Sequence, residues 1–258
     1  MPIDWDAERY LAFAAPRLRP ALDLLARIPM REARTVVDLG CGSGNLVPHL
    51  RRRYAQARII GIDASRDMLA RARAAHPDLT FVEADLRSWE PDAAVDLIFS
   101  NAALQWLDDH QQLLPRLMTM LRPGSVLAVQ MGNNGGAASH RLVGEIAADG
   151  PWSERLRGRY RPLPELAAAP YYRWLAPLAE DLDIWETEYL HALEGEEPVF
   201  DWARSSTLLP ALAHLDEDEA ARFLDRYREA LRRAYPREAD GRTLLPFRRL
   251  FIVATAKG

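Results

Sequence analysis

The sequence predicts an α/β fold: a parallel sheet with helices on both faces, carrying a helical cap insertion. Three observations support this. Short β-branched strands alternate with helical stretches from Arg34 to Met131, the pattern of βαβ units whose sheet is buried on both faces. A glycine cluster, Gly40-Cys41-Gly42-Ser43-Gly44, follows the first strand directly. After Met131 the rhythm fails, and Pro151, Pro162, Pro164, Pro170 and Pro177 punctuate helical fragments instead.

Taken in order, residues 1–30 read as a helical arm in which Leu18, Leu22, Leu24 and Leu25 recur near helical spacing and Pro16 and Pro20 break the helix into pieces. Thr35 to Leu39 is the first strand. Asn45 to Tyr54 is a helix that tolerates Pro48 in its first turn, where a missing N–H costs little. Arg58 to Asp63 is the second strand, followed by a helix to Ala75 with Ser65 as its cap. Leu79 to Glu83 and Val95 to Ser100 are the third and fourth strands. A helix over Asp108–Leu121 leads to the fifth strand, Gly124 to Met131. Beyond the loop Gly132 to Gly136, Asp183 to Tyr189 alternates apolar with polar residues and reads as a strand. Asp216 to Tyr235 is amphipathic, with Phe223, Leu224, Tyr227 and Leu231 on one face. Leu244 to Ala256 closes the chain as a long apolar strand. The expected division is an arm (1–30), a ligand-binding core (31–131), a cap (132–181), and two last strands with intervening helices (182–258).

Composition narrows the function. Hydrophobic residues make up 48% and charged residues 27% of the 258, which excludes disorder as the main state. A net charge of −4 argues against a nucleic-acid partner held by a basic field. No apolar run approaches the ~18 residues of a membrane span. Asp4, Asp6 and Glu8 are the wrong chemistry for a secretory signal, and the lone Cys41 suits a reducing compartment, so a cytoplasmic location is expected.

Glycines between a buried strand and a helix let the backbone approach a nucleotide-like ligand closely. The spacing Gly40-x-Gly42-x-Gly44 is not the G-x-G-x-x-G of dinucleotide binders. Asp63, ending the second strand, can accept both hydroxyls of a ribose, and Asp85, after the third, is placed to reach an adenine amino group.

These residues carry a resemblance. Val37 to Gly44, Asp63-Ala64-Ser65, Ala84-Asp85-Leu86 and Asp96 to Asn101 resemble the successive motifs of class I S-adenosylmethionine-dependent methyltransferases. The arm with Asp4-Trp5, Tyr10, Phe13 and Arg17-Leu18-Arg19-Pro20 is similar to that of the trans-aconitate methyltransferases. So are Asn101 to Trp106, Ser139-His140, Gly150-Pro151-Trp152, Tyr171-Tyr172, Asp183-Ile184-Trp185 and the tail from Ala234 to Phe251. The resemblance implies a Rossmann-like seven-stranded mixed sheet with an antiparallel last strand. It also implies S-adenosyl-L-methionine as cofactor, released as S-adenosyl-L-homocysteine, and a small anionic carboxylic acid as acceptor. The cofactor residues it implies are Tyr10, Asp38, Gly40, Cys41, Gly42, Asp63, Ala64, Asp85, Leu86, Asn101 and Trp106. The substrate residues are Arg17, Arg19, Tyr171, Tyr172, Trp185, His191 and Arg249. No metal and no membrane are implied, and the expected state is a monomer or weak dimer. Leu209 stands where the family usually has arginine, which leaves room for another carboxylate or a hydroxyl as acceptor, or for cofactor binding without turnover.

A carboxylate is already ionised at neutral pH, so its methylation needs no general base, only alignment and positioning. Arginine forks on remote carboxylates would position the acceptor without touching the reacting charge. Arg242, Arg248 and Arg249 beside the last strand are therefore candidates, although 32 of the 33 basic residues are arginine and many must be surface. A nucleophilic role for Cys41 is not expected, and His49, His76, His110 and His214 read as surface residues.

Overall fold

The computed structural model describes residues 14–204 and 206–258, and of residues 14–17 the backbone alone. The chain divides into two compact units. Among the described residues the sheet unit holds 17–132, 167–187 and 249–258, and the helical unit holds 14–16, 133–166 and 188–248. The helical unit is thus discontinuous. Its last segment lies beyond the expected boundary at 181, because the sixth strand interrupts it.

The sheet unit opens with α1 (Ala14–Arg27), which runs through Pro20 without a break. Burial of Ala21, Leu24, Leu25 and Ile28 offsets the single backbone hydrogen bond that proline forfeits. Then follow β1 (Thr35–Leu39), α2 (Val47–Arg53), β2 (Arg58–Asp63), α3 (Arg66–Ala75), β3 (Thr80–Glu83), β4 (Val95–Asn101), α4 (His110–Thr119) and β5 (Leu121–Gly132). The Ser65 hydroxyl accepts the Met68 N–H and caps α3. Later come α7 (Ala168–Leu175), β6 (Ala179–Leu193) and β7 (Thr243–Ala256). The seven strands are ordered β3-β2-β1-β4-β5-β7-β6, with β1 to β5 parallel where paired and β7 antiparallel to β5. Val36, Val37, Leu97, Ile98, Leu127 and Val129 are wholly buried, as expected of strands covered on both faces. At the N-terminal end of the sheet, the Asp96 carboxylate accepts the N–H groups of Arg34 and Thr35 at 2.8 Å and pairs with Arg122 at 2.7 Å. Asp96 thus fixes the strands at the end away from the glycine loop.

The helical unit contains α5 (Ala138–Ala148), α6 (Ser153–Leu156), α8 (Pro198–Arg204), α9 (Leu209–Leu212) and α10 (Glu217–Ala234). Phe223, Tyr227 and Leu231 of α10 pack with Val143, Trp152, Phe200, Trp202 and Phe247. Asp216 and Glu219 form a reciprocal capping box at its start. The neighbouring arginines are surface partners of acids: Arg232 of Glu197 and Arg233 of Glu229.

Candidate active site

The glycine loop is fastened to the end of β2. The N–H groups of Gly40 and Cys41 both donate to the Ile62 carbonyl, at 2.8 and 3.0 Å, and Gly42 N–H donates to Asp63 Oδ2 at 2.8 Å. Asp63 Oδ1 accepts the Ser65 N–H at 2.8 Å. Each Asp63 oxygen keeps a further lone pair for a ligand. Gly40, at φ +83°, also lies so close to Ala103 that a Cβ would meet that residue's Cβ at 2.2 Å, whereas a Cβ on Gly42 would meet nothing within 4 Å. The loop therefore packs tightly at its first glycine and leaves open space at its second.

Strand register defines the rest. Asp38 lies opposite Phe99, Asn101 opposite Gln130, Gln130 opposite Phe251, and Gly132 opposite Arg249. Side chains alternate along a strand and register partners share a face, so Asp38, Asn101, Gln130 and Arg249 project from one face of the sheet. This face carries an unusual set of buried polar atoms. Both carboxylate oxygens of Asp38, Asn101 Oδ1 and both amide atoms of Gln130 have no hydrogen-bond partner, and neither does Gln105 Oε1 in the turn just beyond β4. Five of these six atoms are acceptors. Burial, with the charge of Asp63 as a smaller cause, pushes the Asp38 carboxyl up to about 7. Ala102, directly after β4, adopts φ +53°, and the Gln105 amide bonds its carbonyl at 2.8 Å. A non-glycine residue in this left-handed region stores strain of a kind that gathers at functional sites.

Not every expected residue joins this set. Tyr10 and the side chain of Arg17 lie outside the described residues. Arg19 is 73% exposed and faces Asp23 one helical turn on, and Tyr172 is 58% exposed; both point to water because the inward face of their helices is already apolar. Ala64 is exposed as well. Both Asp85 oxygens are engaged by the backbone and side chain of Arg87, which leaves little capacity for adenine. That guanidinium also holds its carboxyl below the usual carboxylate range. Leu86 is buried and its carbonyl accepts from Arg116. Trp106 is half-buried in the turn after β4. Cys41 is buried, which drives its thiol pKa far up.

Trp185 stacks on Phe251 at 4.8 Å, and Arg27 lies over its ring at 5.1 Å. His191 belongs to the helical unit, where it stacks on Trp202 at 5.1 Å. Of the three arginines near the last strand, Arg242 and Arg248 are surface partners of Glu194 and Glu165, whereas Arg249 is 6% exposed. His110, expected at the surface, is bonded instead. Its Nε2 lies 2.8 Å from the Leu104 carbonyl and its Nδ1 2.7 Å from the Tyr171 hydroxyl. Since a carbonyl only accepts, Nε2 carries the proton, and in the neutral ring Nδ1 accepts from Tyr171.

Similarity to known proteins places this fold and strand-end site in a methyltransferase. Residues 36–124 match the family model described as a methyltransferase domain. The fold is shared with the YcgJ protein of Bacillus subtilis, with a TM-score of 0.60 and 14% identity over 93% of this chain and 99% of that one. A Haemonchus contortus phosphoethanolamine N-methyltransferase gives a TM-score of 0.56 and 16% identity over 93% and 53% of the two chains. At higher identity, the chain is 49% identical to a trans-aconitate 2-methyltransferase of Azoarcus sp. (strain BH72), covering 97% of this chain and 98% of that one. A Shigella dysenteriae protein of the same name is 47% identical over the same shares. The chain belongs to the trans-aconitate 2-methyltransferase family.

Its cofactor is S-adenosyl-L-methionine. The residues present fit that molecule: a face rich in unmet acceptors suits a ligand that brings an ammonium group, hydroxyl donors and a positive charge, and the open space at Gly42 admits its backbone approach. Among the described residues no helix is long and apolar enough to cross a membrane.

Proposed function

We propose that this chain esterifies one carboxylate of trans-aconitate, a small tricarboxylate. The observation that carries the reading is the buried Arg249 on the same sheet face as the acceptor-rich row of Asp38, Asn101 and Gln130. Relatives of that activity by name, at 46–49% identity over nearly the whole chain, support it. S-adenosyl-L-methionine supplies an electrophilic methyl group on a sulfonium. Asp38 would pair with its ammonium, Asp63 would receive the ribose hydroxyls through its remaining lone pairs, and Gly42 would give room for close approach. The methyl would pass to an acceptor carboxylate oxygen with the carbon–sulfur electron pair left on sulfur, so these residues need only hold and align the two molecules. Ester and thioether are both neutral, no proton moves, and no side chain acts as a base. Arg249 holds a remote carboxylate and so positions the acceptor without stabilising the charge that the reaction removes.

The test is labelled methyl transfer to a panel of di- and tricarboxylates by the wild type and Arg249→Leu. Removing one partner of a desolvated charge pair costs ~2–5 kcal/mol, so kcat/KM for trans-aconitate should fall by roughly thirtyfold or more, with cofactor affinity unchanged. Transfer to none of the acids by the wild type would sink the reading. A second reading, a smaller or less charged acid as native acceptor, is favoured by Leu209 at the start of α9. Under it, Leu209→Arg improves turnover of trans-aconitate and impairs that of the native acid.

A further inference from the structure

We propose that Gln130 is a specificity-determining residue whose side-chain amide holds the reacting carboxylate of the acceptor, a neutral counterpart to Arg249. The proposal rests on the ester-forming reading above. Gln130 is 1% exposed, and neither its Nε2 nor its Oε1 has a hydrogen-bond partner. Burying an amide with both ends unmatched is unfavourable. Its neighbours in register do not relieve it: Phe251 is apolar, and the Oδ1 of Asn101 is itself unmatched. The backbone is not responsible either, since the Gln130 carbonyl accepts the Ala102 N–H at 2.9 Å. A side chain kept in this state at the C-terminal end of a parallel strand is positioned for a ligand.

The chemistry of the transfer suits an amide at this place. The attacking carboxylate loses its charge as the ester forms, so a guanidinium bound to it would favour the ground state over the transition state. An amide N–H orients one carboxylate oxygen with a far smaller penalty and leaves the attacking lone pair free. Arg249 projects from the same face of the neighbouring strand β7, at the diagonal position roughly 7–8 Å from Gln130. Two long side chains at that spacing can reach one small polycarboxylic acid.

Gln130→Leu and Gln130→Met separate this role from a structural one. Three quantities are measured: methyl transfer to trans-aconitate, calorimetric affinity for S-adenosyl-L-methionine, and the melting temperature of the ligand-free protein. We expect kcat/KM for trans-aconitate to fall by about tenfold to a hundredfold, cofactor affinity to hold, and the melting temperature to rise as the unmatched amide is removed. A structural amide would behave in the opposite way, with melting falling and turnover lost only in proportion to folded protein. Wild-type kcat/KM in either folded variant, or cofactor affinity lost by the same factor as turnover, would overturn the proposal. If the leucine variant fails to fold, the methionine variant decides. A wild type that methylates no polycarboxylate is a separate result, and it overturns the ester reading together with this proposal.

Discussion

The core of the helical unit and the strand-end face of the sheet bury polar groups in opposite ways. In the helical unit the Tyr227 hydroxyl donates to the Ser139 carbonyl at 2.6 Å, and Trp152 Nε1 donates to the Ile146 carbonyl at 2.7 Å. There too, the Asn134 side chain exchanges two 2.9 Å hydrogen bonds with the backbone of Arg248. On the strand-end face of the sheet the side chains of Asp38 and Gln130, each 1% exposed, have none. The first arrangement stabilises a fold, since each matched pair contributes about 0.5–1.5 kcal/mol. The second sacrifices stability and keeps hydrogen-bonding capacity in reserve for something bound later. Polar burial is thus informative about function only when the partners are examined.

Substitutions should separate the two kinds. The largest effect is expected at Asp63, which fastens the glycine loop and, in the proposed reading, takes the ribose hydroxyls. Asp63→Ala should weaken S-adenosyl-L-methionine binding by roughly tenfold to a hundredfold, from hydrogen bonds to a charged group worth ~1.5–3 kcal/mol. Unchanged calorimetric affinity in a folded variant would remove Asp63 from the site.

Asp38 comes next and brings a pH dependence. Its carboxyl is pushed up to about 7, above the usual carboxylate range, so the folded protein holds this proton more tightly than the unfolded chain does. Its contribution to stability is therefore full below the ordinary carboxyl value of 3.8 and is lost progressively as pH rises from there to about 7. Ligand-free Asp38→Asn should melt above the wild type by a margin that grows from pH 5 to pH 8. Cofactor binding has the reverse trend, because the ionised form is the one that pairs with an ammonium. Wild-type affinity should weaken by up to about tenfold per pH unit below the pKa, and the asparagine variant should bind weakly with a flat profile. A pH-independent wild type would show that the carboxylate makes no such pair.

The smallest effect belongs to the helical unit. Tyr227→Phe should lower stability by ~0.5–1.5 kcal/mol in denaturant unfolding and leave methyl-transfer kinetics alone. That is the opposite sign from the stability change expected for Gln130→Leu, and equal signs would dissolve the contrast between the units.

Much of the fold could be read from the chain because its signals are local. Arg58–Asp63 and the Ser65 cap depend on residues within one turn or strand. The glycine loop and Asp63 were visible for the same reason. Gln130 was not: within Val126 to Met131 it reads as one polar residue in a strand, and its lack of partners is set by residues on β4 and β7. Arg249 carried a signal that could have been used. It alternates with Leu245, Phe247 and Phe251, all buried, whereas Arg242 and Arg248 fall off that period. Asp85 shares its carboxylate with Arg87 two residues on, a competition that the position of an acid after a strand does not reveal. His110 is a lone histidine whose partner Tyr171 comes 61 residues later, beyond the reach of any local pattern.

The single cysteine has one more consequence. Cys41 is 8% exposed, and burial together with Asp38 and Asp63 holds its thiol in the protonated, unreactive form. A maleimide or disulfide reagent can therefore couple to this chain only when the glycine loop opens. Labelling followed by mass spectrometry gives a clock on that motion, with one site and no background from other sulfhydryls. Ligands that occupy the loop should slow the clock, so the enzyme carries its own occupancy sensor for inhibitor screening in crude mixtures.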